Sequence, residues 1–112
     1  MKWGSKPKYG NTWTVVDNLK FQSKLEARRY VQLKALLKAG EVLQFERQVK
    51  FDLVAGIRFY ADFKVWWKDG RTTVEDVKGI ETEAFVIKRK LFNHFHGETE
   101  GELVVLKSRD IR

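Results

Sequence analysis

A chain of 112 residues, 43% of them hydrophobic, holds one compact domain and not two. The absence of cysteine excludes a disulfide scaffold, thiolate zinc sites and a cysteine nucleophile, and favours a cytoplasmic protein. Lys and Arg number 22 against 15 Asp and Glu, a net charge of +7 that makes a polyanion the first partner to consider.

Residues 1–14 set Lys2, Lys6 and Lys8 among Trp3, Tyr9 and Trp13 with no acid, and read as an extended basic arm. Such an arm either tracks phosphates and stacks on bases or folds its aromatics back on the core. The rest of the chain, 15–112, is expected to form one domain. Helical spacing of Leu25, Tyr30, Leu33, Leu36 and Leu37 predicts a helix from Ser23 to Ala39, with Gly40 as its stop. Residues 44–54 alternate as a strand up to a turn at Ala55 and Gly56. The next strand, 57–67, is expected to place Phe59, Ala61, Phe63 and Val65 on one face and Tyr60, Asp62 and Lys64 on the other. Asp69 and Gly70 signal a hairpin into a third strand at 72–78. Helical spacing returns at 83–95 through Phe85, Leu91, Phe92 and Phe95, and 103–106 is short and apolar enough for a buried strand. The predicted fold class is mixed α/β (α+β): a mixed central sheet of four to five strands flanked by helices, in the order helix, three strands, helix, strand. No apolar run approaches the ~20 residues of a membrane span, and residues 1–14 lack the apolar core of a signal peptide, so neither membrane insertion nor export is expected.

The charge is unevenly placed. Residues 1–56 carry 11 basic and 5 acidic side chains, whereas 57–112 carry 11 and 10, so the carboxylates gather in the second half. A hairpin closed at Asp69 and Gly70 brings Asp62 near Asp76, and a period of two puts Lys78 on the face of Asp76 with Val77 turned to the core. Two neighbouring acids resist ionising together unless a cation lies between them. Short oxygen-only ligands suit Mg²⁺ or Mn²⁺, and Lys78 could orient or help deprotonate an attacking water, or stabilise charge growing on a phosphate. An ordinary surface hairpin with an Asp and Lys pair has the same spacing.

The segments FQSKLEARRY at 21–30, RQVKFDLV at 47–54, YADF at 60–63 and VEDVKG at 74–79, followed by a basic helix, resemble the small phage proteins of the PD-(D/E)xK nuclease superfamily related to Holliday-junction resolvases. The resemblance covers roughly residues 17–95 and implies a restriction-endonuclease-like core. It maps the superfamily's ordered acids onto Glu26, Asp62 and Asp76 and its lysine onto Lys78. It implies that the three acids hold Mg²⁺ directly or through water, that the Val77 carbonyl joins them, and that Lys78 addresses the nucleophilic water. Ala61 stands where the motif has proline, which weakens the match without removing a ligand. Glu26 has a second reading, since Ser23 and Glu26 also form the SxxE pattern of a helix-capping box.

Around these residues, Lys24, Arg28, Arg29, Lys64, Lys88 and Lys90, with Lys6 and Lys8 of the arm, are candidates for contact with the DNA backbone, against the alternative of a solvated face. Arg89 shares that ambiguity. Glu75 alternates away from Asp76 and is expected to be solvated; Glu98, Glu100 and Glu102 are expected in a solvent loop; His94 and His96 have no metal-site spacing. Gln48 recurs near the cleft in the resembling family. The expected function is thus a Mg²⁺-dependent endodeoxyribonuclease, with Mn²⁺ able to substitute and no small-molecule cofactor. The resemblance points to branched DNA, the Holliday junction first, and paired nicks in a four-way junction imply a homodimer. Other nuclease specificities, a non-catalytic nucleic-acid-binding module and a purely structural domain remain as alternatives.

Overall fold

The computed structural model describes residues 13–111. The first described element is a hairpin, β1 (Thr14–Val16) and β2 (Leu19–Phe21), turned at Asp17 and Asn18, whose φ angles are +52° and +63°. Both central residues of a tight two-residue hairpin turn need positive φ, and Asp and Asn tolerate it. Lys6 and Lys8 and most of the expected arm lie outside the described residues; Thr14, assigned to the arm from sequence, starts β1 instead.

Helix α1 (Lys24–Lys38) begins at Ser23, whose hydroxyl accepts the Glu26 N–H, and ends in a left-handed Gly40 at φ +82°. The N–H of Glu41 reaches the Leu36 carbonyl and that of Gly40 the Leu37 carbonyl, the paired bonds of a Schellman stop. Its buried stripe is Glu26, Ala27, Tyr30 and Leu33, shifted from the one expected: Leu37 is exposed. The hairpin contributes Phe21 where the sequence suggested Leu25 and Leu37 would close the core.

Strands β3 (Val42–Asp52), β4 (Arg58–Trp67), β5 (Thr72–Val77) and β6 (Glu102–Leu106) form one sheet in that order. The first three run antiparallel through turns at Ala55–Gly56 and Asp69–Gly70, and β6 returns parallel to β5 after helix α2 (Glu83–His96). The fold is therefore the mixed α+β architecture expected from the hydrophobic periods, with four strands and two flanking helices. Among the described residues, no helix is long and apolar enough to cross a membrane.

The four apolar residues of β4 do not share a face. Phe63 and Val65 pack with Phe21, Ala27, Tyr30, Leu33 and Val42 under α1, whereas Phe59 and Ala61 pack with Phe51, Val74, Phe85, Phe92 and Leu103 beside α2. Strict alternation would send all four to one side. The change falls at Asp62, which lies across from Gln48 between the pairs Arg47↔Phe63 and Val49↔Ala61, and Gln48 has a φ of +50°. A left-handed residue inside a long strand bends the ribbon, and here the bend lets one strand pair fill a core on each side of the sheet. Alternation on β5 is preserved: Val74 joins the α2 cluster while Glu75 meets Arg29 of α1.

Candidate active site

Three elements bring their acids to this bend. Phe63 pairs with Glu75, so one residue further along the antiparallel ladder Asp62 faces Asp76. The Val77 N–H donates to Asp62 Oδ2 at 2.7 Å, which fixes the Asp62 side chain against the end of β5. Glu26 enters from the first turn of α1, and Gln48 Nε2 donates to its Oε1 at 3.1 Å while lying 3.4 Å from Asp62 Oδ1. The strained Gln48 backbone therefore serves a visible purpose: it aims one amide between two carboxylates on different elements.

The two ends of Glu26 go different ways. Its backbone N–H takes the Ser23 cap at 3.0 Å, but its carboxylate turns to Gln48, and the side chain is 6% exposed. Only the Ser23 half of a capping box is made.

Asp76 is 2% exposed, and its Oδ2 is fully buried. Lys78 Nζ lies 2.9 Å from that oxygen as an ionic contact, and 4.6 Å over the Phe85 ring. Val77, between them, packs its side chain on the α1 cluster, as the alternation predicts.

Burial pushes all three carboxyls above the usual carboxylate range. For Asp62 the rise is large, with loss of solvent first and then the negative fields of Asp76 and Glu26, opposed by the Val77 N–H and Lys78. For Glu26 burial outweighs Arg47 and Gln48, and Asp76 adds to the rise. For Asp76 burial outweighs the Lys78 ammonium. Three acids from three elements are thus held close enough to feel one another, with less positive charge than would ionise them all comfortably.

Among the described residues, no three acidic or histidine side chains stand in the spacing of a closed metal-ligand set. The hydrogen bonds explain the relaxed arrangement, since Asp62 is turned to Val77 and Glu26 to Gln48. The donor set is nevertheless of the kind a hard divalent cation takes, all oxygen and short of counter-charge.

The expected DNA-facing cations divide. Arg29 grips Glu75 through two bonds, Nε to Oε1 at 2.7 Å and Nη2 to Oε2 at 2.5 Å, and with 11% of its side chain exposed it has no reach to a phosphate. Glu75, expected to be solvated, is 2% exposed for the same reason: α1 covers that face of β5 and supplies its partner. Lys64 is likewise turned away from solvent, 15% exposed and paired with Glu100, which lies in the expected loop but is partnered there, whereas Glu102 starts β6 instead of lying in the loop. Arg89 pairs with Glu81. Lys24, Arg28 and Lys90 are exposed and Lys88 half-buried on the helix surfaces, so nothing in their surroundings conflicts with a backbone-facing role. His96 Nε2 meets the Asp52 carbonyl at 2.6 Å and its ring lies against Phe51 and Phe92, a packing role.

Sequence reasoning overlooked Arg47. Its guanidinium lies 4.2 Å over the Phe21 ring, bonds the Lys20 carbonyl and acts on Glu26. A cation next to Gln48 in a strand facing the first helix was the available signal.

No curated protein and no solved structure matches the chain. A family model described as a protein of unknown function, DUF1064, matches residues 6–110. It spans the hairpin, both helices, the sheet and every acid of the cluster, and this chain belongs to the DUF1064 family.

Proposed function

We propose that the protein is a Mg²⁺-dependent endodeoxyribonuclease of PD-(D/E)xK type that nicks branched DNA, the Holliday junction first. The observation that carries this reading is the convergence of Glu26, Asp62 and Asp76 from three elements, with raised proton affinities and one lysine against the most buried of them. The resemblance of residues 17–95 to the resolvase-related nucleases supports it, as does the net charge of +7.

Asp62, Asp76 and Glu26 would hold the ion, with the Val77 carbonyl as a further oxygen. When bound, Mg²⁺ supplies Lewis-acid polarisation of the scissile phosphate and makes water acidic enough to yield a nucleophile at neutral pH; Mn²⁺ has the same oxygen chemistry. The chain's own groups do the positioning. Gln48 orients the Glu26 carboxylate, and the Val77 N–H holds Asp62 in place. Lys78 Nζ, held beside Asp76, presents its remaining N–H bonds to the attacking water or to the phosphate oxygens as negative charge builds there. In-line attack at phosphorus with departure of the 3′ oxygen gives a 5′-phosphate and a 3′-hydroxyl. Paired nicks across a four-way junction require two such sites related by two-fold symmetry, hence a homodimer, with branched DNA in the cytoplasm as substrate (host cytoplasm if the protein is viral).

The test is a nicking assay with Mg²⁺ on four-way junction, flap, mismatch and linear duplex in parallel, for wild type and Asp76→Ala. Faster cleavage of the junction that disappears in the variant supports the reading. Equal rates on all four substrates would remove the resolvase specificity and leave a nuclease. DNA binding without product from the wild type would leave a non-catalytic binding module.

A further inference from the structure

We propose that the groove at the carboxyl ends of β5 and β6, lined by Lys78, Gly79, Lys107, Ser108 and Arg109, binds a non-scissile phosphate of the nucleic-acid backbone next to the one that is cleaved. The proposal rests on the nuclease reading for the word scissile; the anion site itself follows from the groove. It has a volume of about 410 Å³, and three of its five lining residues are cationic.

The fold builds this groove from the only parallel strand pair among the described residues. Parallel pairing ends β5 and β6 side by side, and the Lys78 N–H donates to the Leu106 carbonyl at 2.9 Å, so Lys78–Gly79 and Lys107–Arg109 leave the sheet next to each other. The carboxyl ends of parallel strands are where open α/β sheets hold their ligands. At Gly79 nothing lies within 4 Å of where a Cβ would stand, so the backbone there is open to close approach.

The acids beside Lys107 leave it donors to spare. Asp110 spends Oδ2 on the Lys107 N–H at 2.8 Å, closing the 3₁₀ turn Ser108–Asp110. Glu81 meets Lys107 Nζ at 3.2 Å through one oxygen and Arg89 through the other, which leaves Lys107 further N–H bonds to offer. Lys78 is shared by the two places: its ammonium touches Asp76, and the residue lines the groove. A backbone running through the groove would therefore deliver its neighbouring phosphate to the acid cluster, since successive phosphates are separated by one nucleotide.

Binding of a four-way junction and of a linear duplex by the full-length protein, in EDTA so that no strand is cut, separates this proposal from the nuclease reading. Lys107→Gln/Arg109→Gln is expected to weaken binding about 10-fold near 0.1 M salt and to lower the slope of log affinity against log salt by about 1, as loss of one phosphate contact should. The charge-keeping Lys107→Arg/Arg109→Lys should retain wild-type binding, and Lys38→Gln/Lys68→Gln, at the opposite end of the sheet, should alter neither quantity. Single Arg109→Gln, which keeps the Lys107–Glu81 pair, carries the test should the double variant unfold. An unchanged slope in the groove variants, an equal loss in the distant control, or no binding by wild type would each overturn the proposal. Groove-dependent binding by a protein that never nicks DNA would sustain the groove and overturn the nuclease.

Discussion

Glu75 and Asp76 are adjacent on one strand, equally buried, and treated in opposite ways. Glu75 faces α1 and receives a bidentate guanidinium that satisfies both of its oxygens. Asp76 lies in the fields of Asp62 and Glu26, and the single ammonium of Lys78 is its counter-charge, too little to offset its burial. A buried acid whose charge is matched by its own fold is a fastener. One whose charge the fold leaves short, in the company of other acids, is on the proposed reading a place for a cation.

The contrast can be broken from either side, and the largest effect should come from the open side. On the proposed reading, Asp76→Ala lowers Mg²⁺-dependent nicking at least about 10³-fold while far-UV circular dichroism stays that of the wild type. Residual activity within a few-fold of wild type would remove Asp76 from the site.

On the closed side, Arg29→Ala leaves Glu75 buried and unpaired, and should cost about 3–5 kcal/mol of unfolding free energy in urea. Arg29→Met/Glu75→Leu, which removes both charges and keeps the volume, should recover most of that loss. A double variant as unstable as the single one would show that the pair does more than neutralise itself.

A smaller effect of opposite sign is expected for Asp62→Asn. The native carboxyl binds its proton more tightly than the unfolded one, so its favourable contribution is full below the ordinary carboxylate range and is lost as pH rises through the elevated native value. Metal-free wild type should therefore lose melting temperature as pH climbs above the ordinary Asp range, and Asp62→Asn should flatten that slope and melt about 4–8 °C higher at neutral pH, equivalent to about 1 kcal/mol. Added Mg²⁺ should raise the wild-type melting temperature and leave the variant nearly unmoved. A variant less stable than wild type at every pH would mean that the Val77 hydrogen bond outweighs the crowding of the acids.

The smallest effect concerns Gln48, which orients Glu26 from outside the ligand set. Gln48→Ala should weaken Mg²⁺ affinity about 10-fold, read by calorimetry, with little change in melting temperature of the metal-free chain. A wild-type affinity would reduce Gln48 to a bend residue.

Much of this was present in the order of residues. Periods of two and about 3.6 located both helices and the first two sheet strands, because an amphipathic element must repeat its apolar side chains at its own pitch, while a turn signal placed the third strand and a short apolar run the fourth. Asp69–Gly70 fixed the register that sets Asp62 across from Asp76, and the hairpin at Asp17–Asn18 carried a turn signal just as local, obscured by the basic aromatic residues before it.

What local pattern could not supply was the identity of partners. That Arg29 closes on Glu75 rather than on a phosphate, that Lys64 turns to Glu100, and that the Glu26 carboxylate leaves its helix cap for Gln48 each depend on residues from 22 to 46 positions away along the chain. Pitch and turn chemistry act between neighbours in sequence and are written there. Burial and charge pairing act between neighbours in space, and the reversal of side-chain alternation at Asp62, on which the whole acid cluster depends, came into being only when a left-handed Gln48 met it across the ladder.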